Sequence, residues 1–148
     1  MTSKVTIGLP VYNGENYLIQ ALESILSQTF TDFSLIISDN ASTDMTHEIC
    51  LKYRKLDNRV VYYRQDENIG GARNYNFVFQ HQGSPYFKWA AHDDVIAPNF
   101  LDDCVAILDA DPSLAIAHSC SYDIDENNTI LKDAGTFRLN AESPSERF

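Results

Sequence analysis

The sequence predicts an α/β fold with a mostly parallel, twisted sheet and helices on both of its faces. Short apolar segments rich in β-forming residues alternate with segments whose apolar residues recur at helical spacing. The short strand segments are largely apolar, which is typical of strands that are buried on both faces. Ligands of such sheets bind beyond the carboxyl ends of the strands, so the residues that follow each strand form the candidate site.

Five strands and four helices are predicted in alternation along the chain. The strands are expected at residues 5–13, 33–40, 60–64, 86–91 and 114–125, the last of which allows for a sixth strand. The helices are expected at residues 15–30 and 42–56, from about residue 71, and from about residue 98. Ser42 or Thr43 is available as the cap of the second helix.

Composition and charge limit the classes of partner. The chain has 148 residues, about one domain, and no apolar run approaches the ~18–20 residues that span a bilayer. The first residues carry no signal-peptide pattern, so a cytoplasmic location is expected. Residues 1–90 hold 9 acidic and 8 basic side chains, a balance of −1, and residues 91–148 hold 12 and 3, a balance of −9. Nucleic acid is therefore excluded as an expected partner, whereas a nucleotide with a bridging cation is compatible.

Polar, turn-forming residues follow four of the predicted strands, and we expect them to meet at one edge of the sheet. The groups that could bind a ligand are Asn13 and Glu15, then Asp39 and Asp44, then Arg73, then Asp93 and Asp94. Asn13-Gly14 is also a common turn, and Asp39 or Asp44 could cap the next helix. One helix needs only one cap, however, so two carboxylates five residues apart exceed that requirement.

Two features indicate a phosphate and a divalent cation. Arg73 follows Gly70-Gly71 in the first turn of the third predicted helix, where a cation is unfavourable unless an anion is close. Asp93 and Asp94 end the fourth predicted strand. Mg²⁺ and Mn²⁺ take oxygen ligands, and Mg²⁺ is often held by one or two carboxylates with substrate phosphates. A solvated acidic turn is the alternative for this pair.

Three segments resemble the signatures of the inverting family 2 glycosyltransferases of the GT-A fold. Residues 5–46 resemble the opening of that family, and ENIGGARNYN at residues 67–76 resembles its second signature. AAHDDVIAPNFL at residues 90–101 lies where the family carries its D-x-D element. The three segments occur in the family's order and at its spacing. The resemblance implies a Rossmann-like GT-A fold that binds a nucleotide-diphospho-sugar.

The resemblance also implies a role for each matching residue around the nucleotide. The base and ribose would be bordered by Pro10, Tyr12 and Glu15. Asp39 would accept a hydrogen bond from the base, most often uracil. The nucleotide or its diphosphate would lie beside Asp44 and Arg73.

At the D-x-D position the resemblance implies that Asp93 and Asp94 hold Mg²⁺ or Mn²⁺ against the diphosphate. Ala91 stands where the first Asp of the element is expected, so the sequence departs from the family pattern there. Asp93 matches the second Asp and is the favoured direct ligand. Asp94 is expected to bind through water or to orient the loop, and His92 to be a neighbour of the metal.

The implied activity is transfer of a sugar, as in a hexosyltransferase, from a nucleotide-diphosphate donor such as a UDP-sugar to an acceptor hydroxyl with inversion. The acceptor would be a glycan or a lipid-linked molecule in polysaccharide biosynthesis, with peripheral association at the inner face of a membrane. Residues 1–126 would form the donor portion, and residues 127–148 a polar tail leading into an absent acceptor-binding part that carries the catalytic base.

Two other functions are compatible with these residues. One is a non-catalytic module that binds a nucleotide sugar or serves in assembly. The less favoured one is a sugar nucleotidyltransferase, because PVYNGENY, residues 10–17, has one glycine and no basic residue with which to bind a triphosphate.

Overall fold

The structure, a computed structural model, describes residues 2–133. The chain divides into two compact units, Met1–Leu101 and Asp102–Phe148. The division of function predicted at residue 126 stays a prediction, and the part of the predicted tail from residue 134 onward lies outside the described residues.

The first unit contains a four-stranded parallel sheet. Its strands are β1 (Val5–Val11), β2 (Phe33–Asp39), β3 (Val60–Arg64) and β4 (Tyr86–Trp89), in the order β3-β2-β1-β4. All three pairings are parallel. β1 and β2, the two inner strands, are buried along nearly their whole length. The predicted α/β class with a parallel sheet is confirmed.

Helices connect the strands. They are α1 (Leu18–Leu26), α2 (Thr46–Leu56), α3 (Gly71–Gln80) and α4 (Phe100–Ala110), the last of which starts at the end of the first unit. α3 begins where the sequence predicted, and the other three begin two to four residues later than predicted. α1 buries the apolar stripe Leu18, Ala21, Leu22 and Ile25. The residues between each strand and its helix form the loops that the site uses.

The helices cover both faces of the sheet, as two neighbouring residues of β2 demonstrate. The Ser38 hydroxyl donates a hydrogen bond to Asn74 Oδ1 on α3 at 2.6 Å. The next side chain, Asp39, accepts a hydrogen bond from Tyr62, which contacts His47 on α2. Successive side chains of a strand point to opposite faces, so α2 and α3 lie on opposite sides. α1 packs against α2.

The order of the strands reverses beside β1. The chain builds outward from β1 to β2 to β3 and then returns to place β4 on the other side of β1. Pairing of β1 with β4 stops at Gly8 and Trp89, whereas pairing with β2 continues to Val11 and Asp39. The switch in strand order therefore lies between β1 and β4, and ligands of this architecture bind beyond the carboxyl ends of the strands at such a switch.

The predicted fifth strand at residues 114–125 is wrong in extent and in pairing. Only Tyr122–Ile124 (β5) is a strand, and it pairs antiparallel with β6 (Ile130–Asp133) in a two-stranded sheet of the second unit. Ile116, within the predicted strand, is 64% exposed. The Asp125 carboxylate accepts hydrogen bonds from the backbone N–H groups of Asn127 and Thr129 and closes a tight turn, so a local hairpin forms.

No helix within residues 2–133 combines the length and the apolar character needed to cross a membrane.

Gly8 is required by the close approach of α3 and β4 to β1. A Cβ atom at this position would lie 2.7 Å from Val78 Cγ2 and 2.7 Å from Phe87 Cζ. We expect Gly8→Ala to lower the free energy of unfolding by about 1–3 kcal/mol, because a packed core must shift to admit the methyl group. Denaturant unfolding followed by circular dichroism measures this loss.

Gly83→Ala is the matched control, since its Cβ would meet only Thr2 Cγ2 at 3.9 Å. Equal stability of the Gly8→Ala variant and the control would contradict the packing described for β1.

Candidate functional site

The loops that follow β1 and β2 are interlocked by hydrogen bonds between backbone and side chains. The Asn13 N–H donates to Ser42 Oγ at 3.0 Å, and the Gly14 N–H donates to Thr46 Oγ1 at 2.8 Å. In return the Thr43 N–H donates to Asn13 Oδ1 at 2.9 Å. Asn13 adopts a left-handed conformation with φ of 51°, which an asparagine tolerates better than most residues. The two loops therefore form one structural unit at the edge of the sheet.

Glu15 and Asp44 complete this unit with a reciprocal pair of contacts. Glu15 Oε2 accepts the Met45 N–H at 2.9 Å, and Asp44 Oδ2 accepts the Glu15 N–H at 3.1 Å. Asp44 Oδ1 also accepts the N–H of Thr46, the first residue of α2, at 3.0 Å. The expectation that Ser42 or Thr43 caps α2 is wrong, because the helix begins later and Asp44 supplies the acceptor.

Asp39 lies at the end of β2 and is completely enclosed, with an exposed fraction of 0%. Its Oδ1 accepts the Ser42 N–H at 2.8 Å, and its Oδ2 accepts the Tyr62 hydroxyl at 2.9 Å. Arg64 Nε lies 3.7 Å from Oδ2. Burial, reinforced by the hydrogen bond to Asp39, raises the pKa of the Tyr62 hydroxyl far above its ordinary value. Tyr62 therefore stays protonated and donates to the carboxylate.

The second signature is anchored to the end of β2 through two asparagines. Asn74 Nδ2 donates to the Ser38 carbonyl at 2.9 Å, and its Oδ1 accepts the Ser38 hydroxyl. Asn68 Oδ1 accepts Asn40 Nδ2 at 2.9 Å. These contacts hold both sides of the turn in which Gly70 has φ of 84°, and they leave Arg73 exposed at the start of α3.

The acidic pair after β4 connects to the interlocked loops through His92. A Cβ on Gly14 would lie 2.8 Å from His92 Cδ2, so the imidazole packs directly on the Gly14 backbone. The neighbouring Asp93 side chain is 57% exposed, and Asp94 is exposed as well. On the far side of the pair, Gln28 Nε2 donates to the Ala97 carbonyl at 2.7 Å. The loop that carries the two carboxylates is therefore held by contacts before and after the pair.

The donor atoms of Asp93 and Asp94 fit a hard divalent cation that shares its coordination with a substrate. Both are exposed carboxylates, the oxygen ligands that Mg²⁺ and Mn²⁺ take. Within residues 2–133, no three His, Cys, Asp or Glu side chains lie close enough together to form a metal site of protein ligands alone. Such a cation would need phosphate and water for its remaining positions, which is the usual arrangement for Mg²⁺.

The structure brings the predicted site residues to one edge of the sheet but gives them different environments. Pro10 is buried in β1 where pairing with β4 has ended, and Tyr12 is 45% exposed in the following loop. The Glu15 carboxylate accepts the Met45 N–H and the Asp44 carboxylate accepts the Glu15 N–H, whereas Asp39 is enclosed. Contact of these residues with a nucleotide stays a prediction.

The sequence did not reveal the residues whose hydrogen bonds hold the site loops in place. Asn40, Asn68 and Asn74 were not singled out, and His47 was given no role. Their signal was weak, because an asparagine near a turn is ordinary. Tyr62 gave a clearer signal in the sequence, because its hydroxyl-bearing side chain lies in β3 two residues from Arg64 and therefore on the same face of the strand.

The fold and the site together define a class of protein. A parallel sheet whose strand order switches beside β1, with backbone-bonded loops and an exposed carboxylate pair, is typical of an α/β domain that binds a nucleotide diphosphate. The chain matches glycosyl transferase family 2 over residues 6–145. It belongs to this family.

A curated relative and two solved structures extend the match. An uncharacterised glycosyltransferase of Rickettsia prowazekii is 32% identical over 144 residues, which are 97% of this chain and 42% of that protein. TarS of S. aureus, solved in complex with UDP-GlcNAc, superimposes with a TM-score of 0.68 at 28% identity, covering 72% of this chain and 31% of that chain. This chain thus spans less than half the length of either protein.

A mannosyltransferase from Pyrobaculum calidifontis, solved with GDP-Man and Mn²⁺, has the same fold. Its TM-score is 0.72 at 23% identity, with 83% of this chain and 36% of that chain covered. Together with TarS it confirms that the sheet of the first unit belongs to a GT-A fold.

Asn74 gives a test of the buried anchor. We expect Asn74→Ala to lower the free energy of unfolding by about 2–3 kcal/mol, because the buried Ser38 hydroxyl and carbonyl both lose a partner. Urea unfolding measures the loss. Asn76→Ala, at an exposed position of the same helix, should stay within about 0.5 kcal/mol of the wild type. If Asn74→Ala lowers the free energy of unfolding no more than Asn76→Ala does, the anchoring role of Asn74 is contradicted.

Asp44 gives a test that depends on pH. Burial raises the pKa of this carboxyl, but hydrogen bonds from Thr46 and the Glu15 N–H outweigh burial, so the pKa lies below its ordinary value of 3.8. A carboxyl with a lowered folded pKa stabilises the protein above its unfolded pKa, and this stabilisation is lost as the pH falls through the folded pKa. We expect Asp44→Asn to cost about 1 kcal/mol at pH 7 and clearly less at pH 3.

Chemical unfolding at both pH values measures this difference. Asp32→Asn, at an exposed carboxylate before β2, is the control for the loss of one negative charge. A cost for Asp44→Asn that is the same at pH 7 and pH 3 would contradict the assignment.

Proposed function

We propose that this chain binds the donor for a hexosyltransferase reaction in which a sugar passes from a nucleotide diphosphate to an acceptor hydroxyl with inversion. The observation that carries the proposal is the exposed pair Asp93 and Asp94, which follows β4 beside the interlocked loops in a family 2 fold. A uridine diphosphate sugar is the proposed donor, supported by the UDP-GlcNAc bound to TarS.

The base and ribose would lie against the loops that follow β1 and β2. Tyr12 is exposed there and offers an aromatic face, while Pro10 lines the point where pairing with β4 has stopped. Glu15 and Asp44 are held by backbone N–H groups and border the same space. Asp39, an acceptor at the end of β2, is the proposed partner of an N–H group of the base.

The diphosphate would lie between the start of α3 and the acidic pair. Arg73 is exposed in the first turn of α3, where the backbone N–H groups of the helix also favour an anion. Asp93 and Asp94 would hold Mg²⁺ or Mn²⁺, with Asp93 as the direct ligand, and the cation would stabilise charge on the leaving diphosphate. The Mn²⁺ in the mannosyltransferase complex supports a metal in this fold.

Transfer also requires a base that takes the proton of the acceptor hydroxyl. We assign this role to none of residues 2–133. The proposed acceptor is a glycan or lipid-linked molecule, used at the cytoplasmic face of a membrane in polysaccharide synthesis. This part of the proposal rests on membership of the family.

Titration of the chain with UDP-GlcNAc in a calorimeter, in Mn²⁺ and in EDTA, tests the proposal. We expect binding in Mn²⁺ that is lost in EDTA. Asp93→Asn should weaken binding in Mn²⁺ by at least about tenfold, since loss of a group that merely supports a metal ligand already costs roughly 10–100-fold. Asp94→Asn should have the smaller effect.

Asp32→Asn, which removes a carboxylate at the opposite end of β2, should bind as the wild type does. Binding that is identical in Mn²⁺ and EDTA, and unchanged in Asp93→Asn, would overturn the metal assignment. Donor binding without release of UDP in the presence of acceptors would assign this chain a binding role alone.

A further inference from the structure

A chain of hydrogen bonds runs from the end of β2 to the surface of α2 through side chains with no role so far. The Tyr62 hydroxyl on β3 donates to Asp39 Oδ2 at 2.9 Å. On its other side the same hydroxyl lies 2.7 Å from His47 Nδ1. The two rings are 5.8 Å apart between centroids. His47 is half-buried, so it is the outer end of the chain.

The chemistry of Asp39 fixes the direction of every bond in this chain. The Tyr62 hydroxyl donates to the carboxylate oxygen Asp39 Oδ2, so its single proton points at Asp39. The Tyr62 oxygen then has only lone pairs to offer His47. His47 Nδ1 must therefore carry a proton, in the neutral Nδ1–H tautomer or in the imidazolium ion.

The contacts of Asp39 differ in strength. Those with Ser42 and Tyr62 are short, 2.8 Å and 2.9 Å, and come from groups inside the fold. Arg64, whose side chain is 40% exposed, lies at 3.7 Å and forms a looser ion pair. A ligand reaches the enclosed Asp39 only when a covering group moves, and Arg64 is the most exposed of the three. Ser42 and Tyr62 then still hold the carboxylate in place.

We propose that Tyr62 and His47 are positioning residues that hold Asp39 as a pure acceptor and so set the preference for the nucleotide base. This inference rests on the proposed function and deepens it. A base with a ring N–H at its hydrogen-bonding edge, as uracil and guanine have, satisfies the carboxylate. Cytosine and adenine present a lone pair at the corresponding nitrogen, and a buried acceptor facing a lone pair is disfavoured.

The first experiment reads the hydrogen-bond chain directly and needs no nucleotide. The imidazole nitrogens of the ¹⁵N-labelled chain are observed by long-range proton–nitrogen NMR at pH 8, and His47→Asn identifies the His47 signal. We expect a protonated Nδ1 in the wild type and a shift of His47 toward the Nε2–H tautomer in Tyr62→Phe. An unprotonated Nδ1 in the wild type overturns the chain of bonds.

The second experiment measures base preference by calorimetric titration with UDP and with CDP in Mn²⁺. Tyr62→Phe keeps the ring but removes the hydroxyl, and we expect UDP affinity to fall about tenfold while CDP affinity is unchanged. His47→Ala should lower the ratio of UDP affinity to CDP affinity about threefold, because the Tyr62 hydroxyl loses its second hydrogen-bond partner. His47→Asn should restore the ratio to within about twofold, since Asn Nδ2 is a donor that can occupy the place of His Nδ1.

The pattern of losses separates positioning from general damage. Equal losses of UDP and CDP affinity in Tyr62→Phe and His47→Ala, with no recovery in His47→Asn, overturn the positioning role. If the wild type binds neither nucleotide, the proposed function and the base preference both fail. The NMR result then still decides whether the hydrogen-bond chain exists, so the two failures are distinguishable.

Discussion

The end of β2 places three consecutive polar residues in the interior of the protein, and the rest of the site depends on how they are satisfied. Ser38, Asp39 and Asn40 are all buried. Polar groups in such a position must be hydrogen-bonded, because each unpaired one costs about 1–3 kcal/mol. Each of the three bonds to a different neighbour, so one stretch of strand fixes α3, β3 and the turn before α3 together.

This arrangement separates the buried residues that hold the loops from the exposed residues around them. Ser38, Asn74 and Asn40 are buried. Hydrogen bonds between Ser38 and Asn74 join β2 to α3, and a hydrogen bond from Asn40 to Asn68 joins the end of β2 to the turn before α3. Tyr12 and Asp93 are exposed on neighbouring loops, which other hydrogen bonds and packing contacts hold in place. Groups that contact a substrate act best when a rigid layer beneath them sets their geometry. The buried network supplies part of that rigid layer.

The sequence predicted the edge of the sheet correctly because strand ends are local features. Apolar runs closed by Asn13-Gly14, Asp39-Asn40 or His92-Asp93 are readable without any contact, and all three lie at the edge expected. The reciprocal contacts of Glu15 with Met45 and Asp44 were not readable, since their partners lie 30 and 29 residues apart in the chain. Residues 114–125 were misjudged for a related reason, because an apolar run does not specify which strand it pairs with.

By itself the sequence determined the α/β class, the parallel pairing of the first four strands, and the set of polar residues beyond their carboxyl ends. These follow from periodicity and turn chemistry, which act over a few residues. Only the tertiary structure decided which of the polar residues are enclosed, as Asp39 is, and which are exposed, as Asp93 is. It also gave His47 a place beside Tyr62. The reason is physical: burial and hydrogen-bond partners depend on chain segments that only folding brings together.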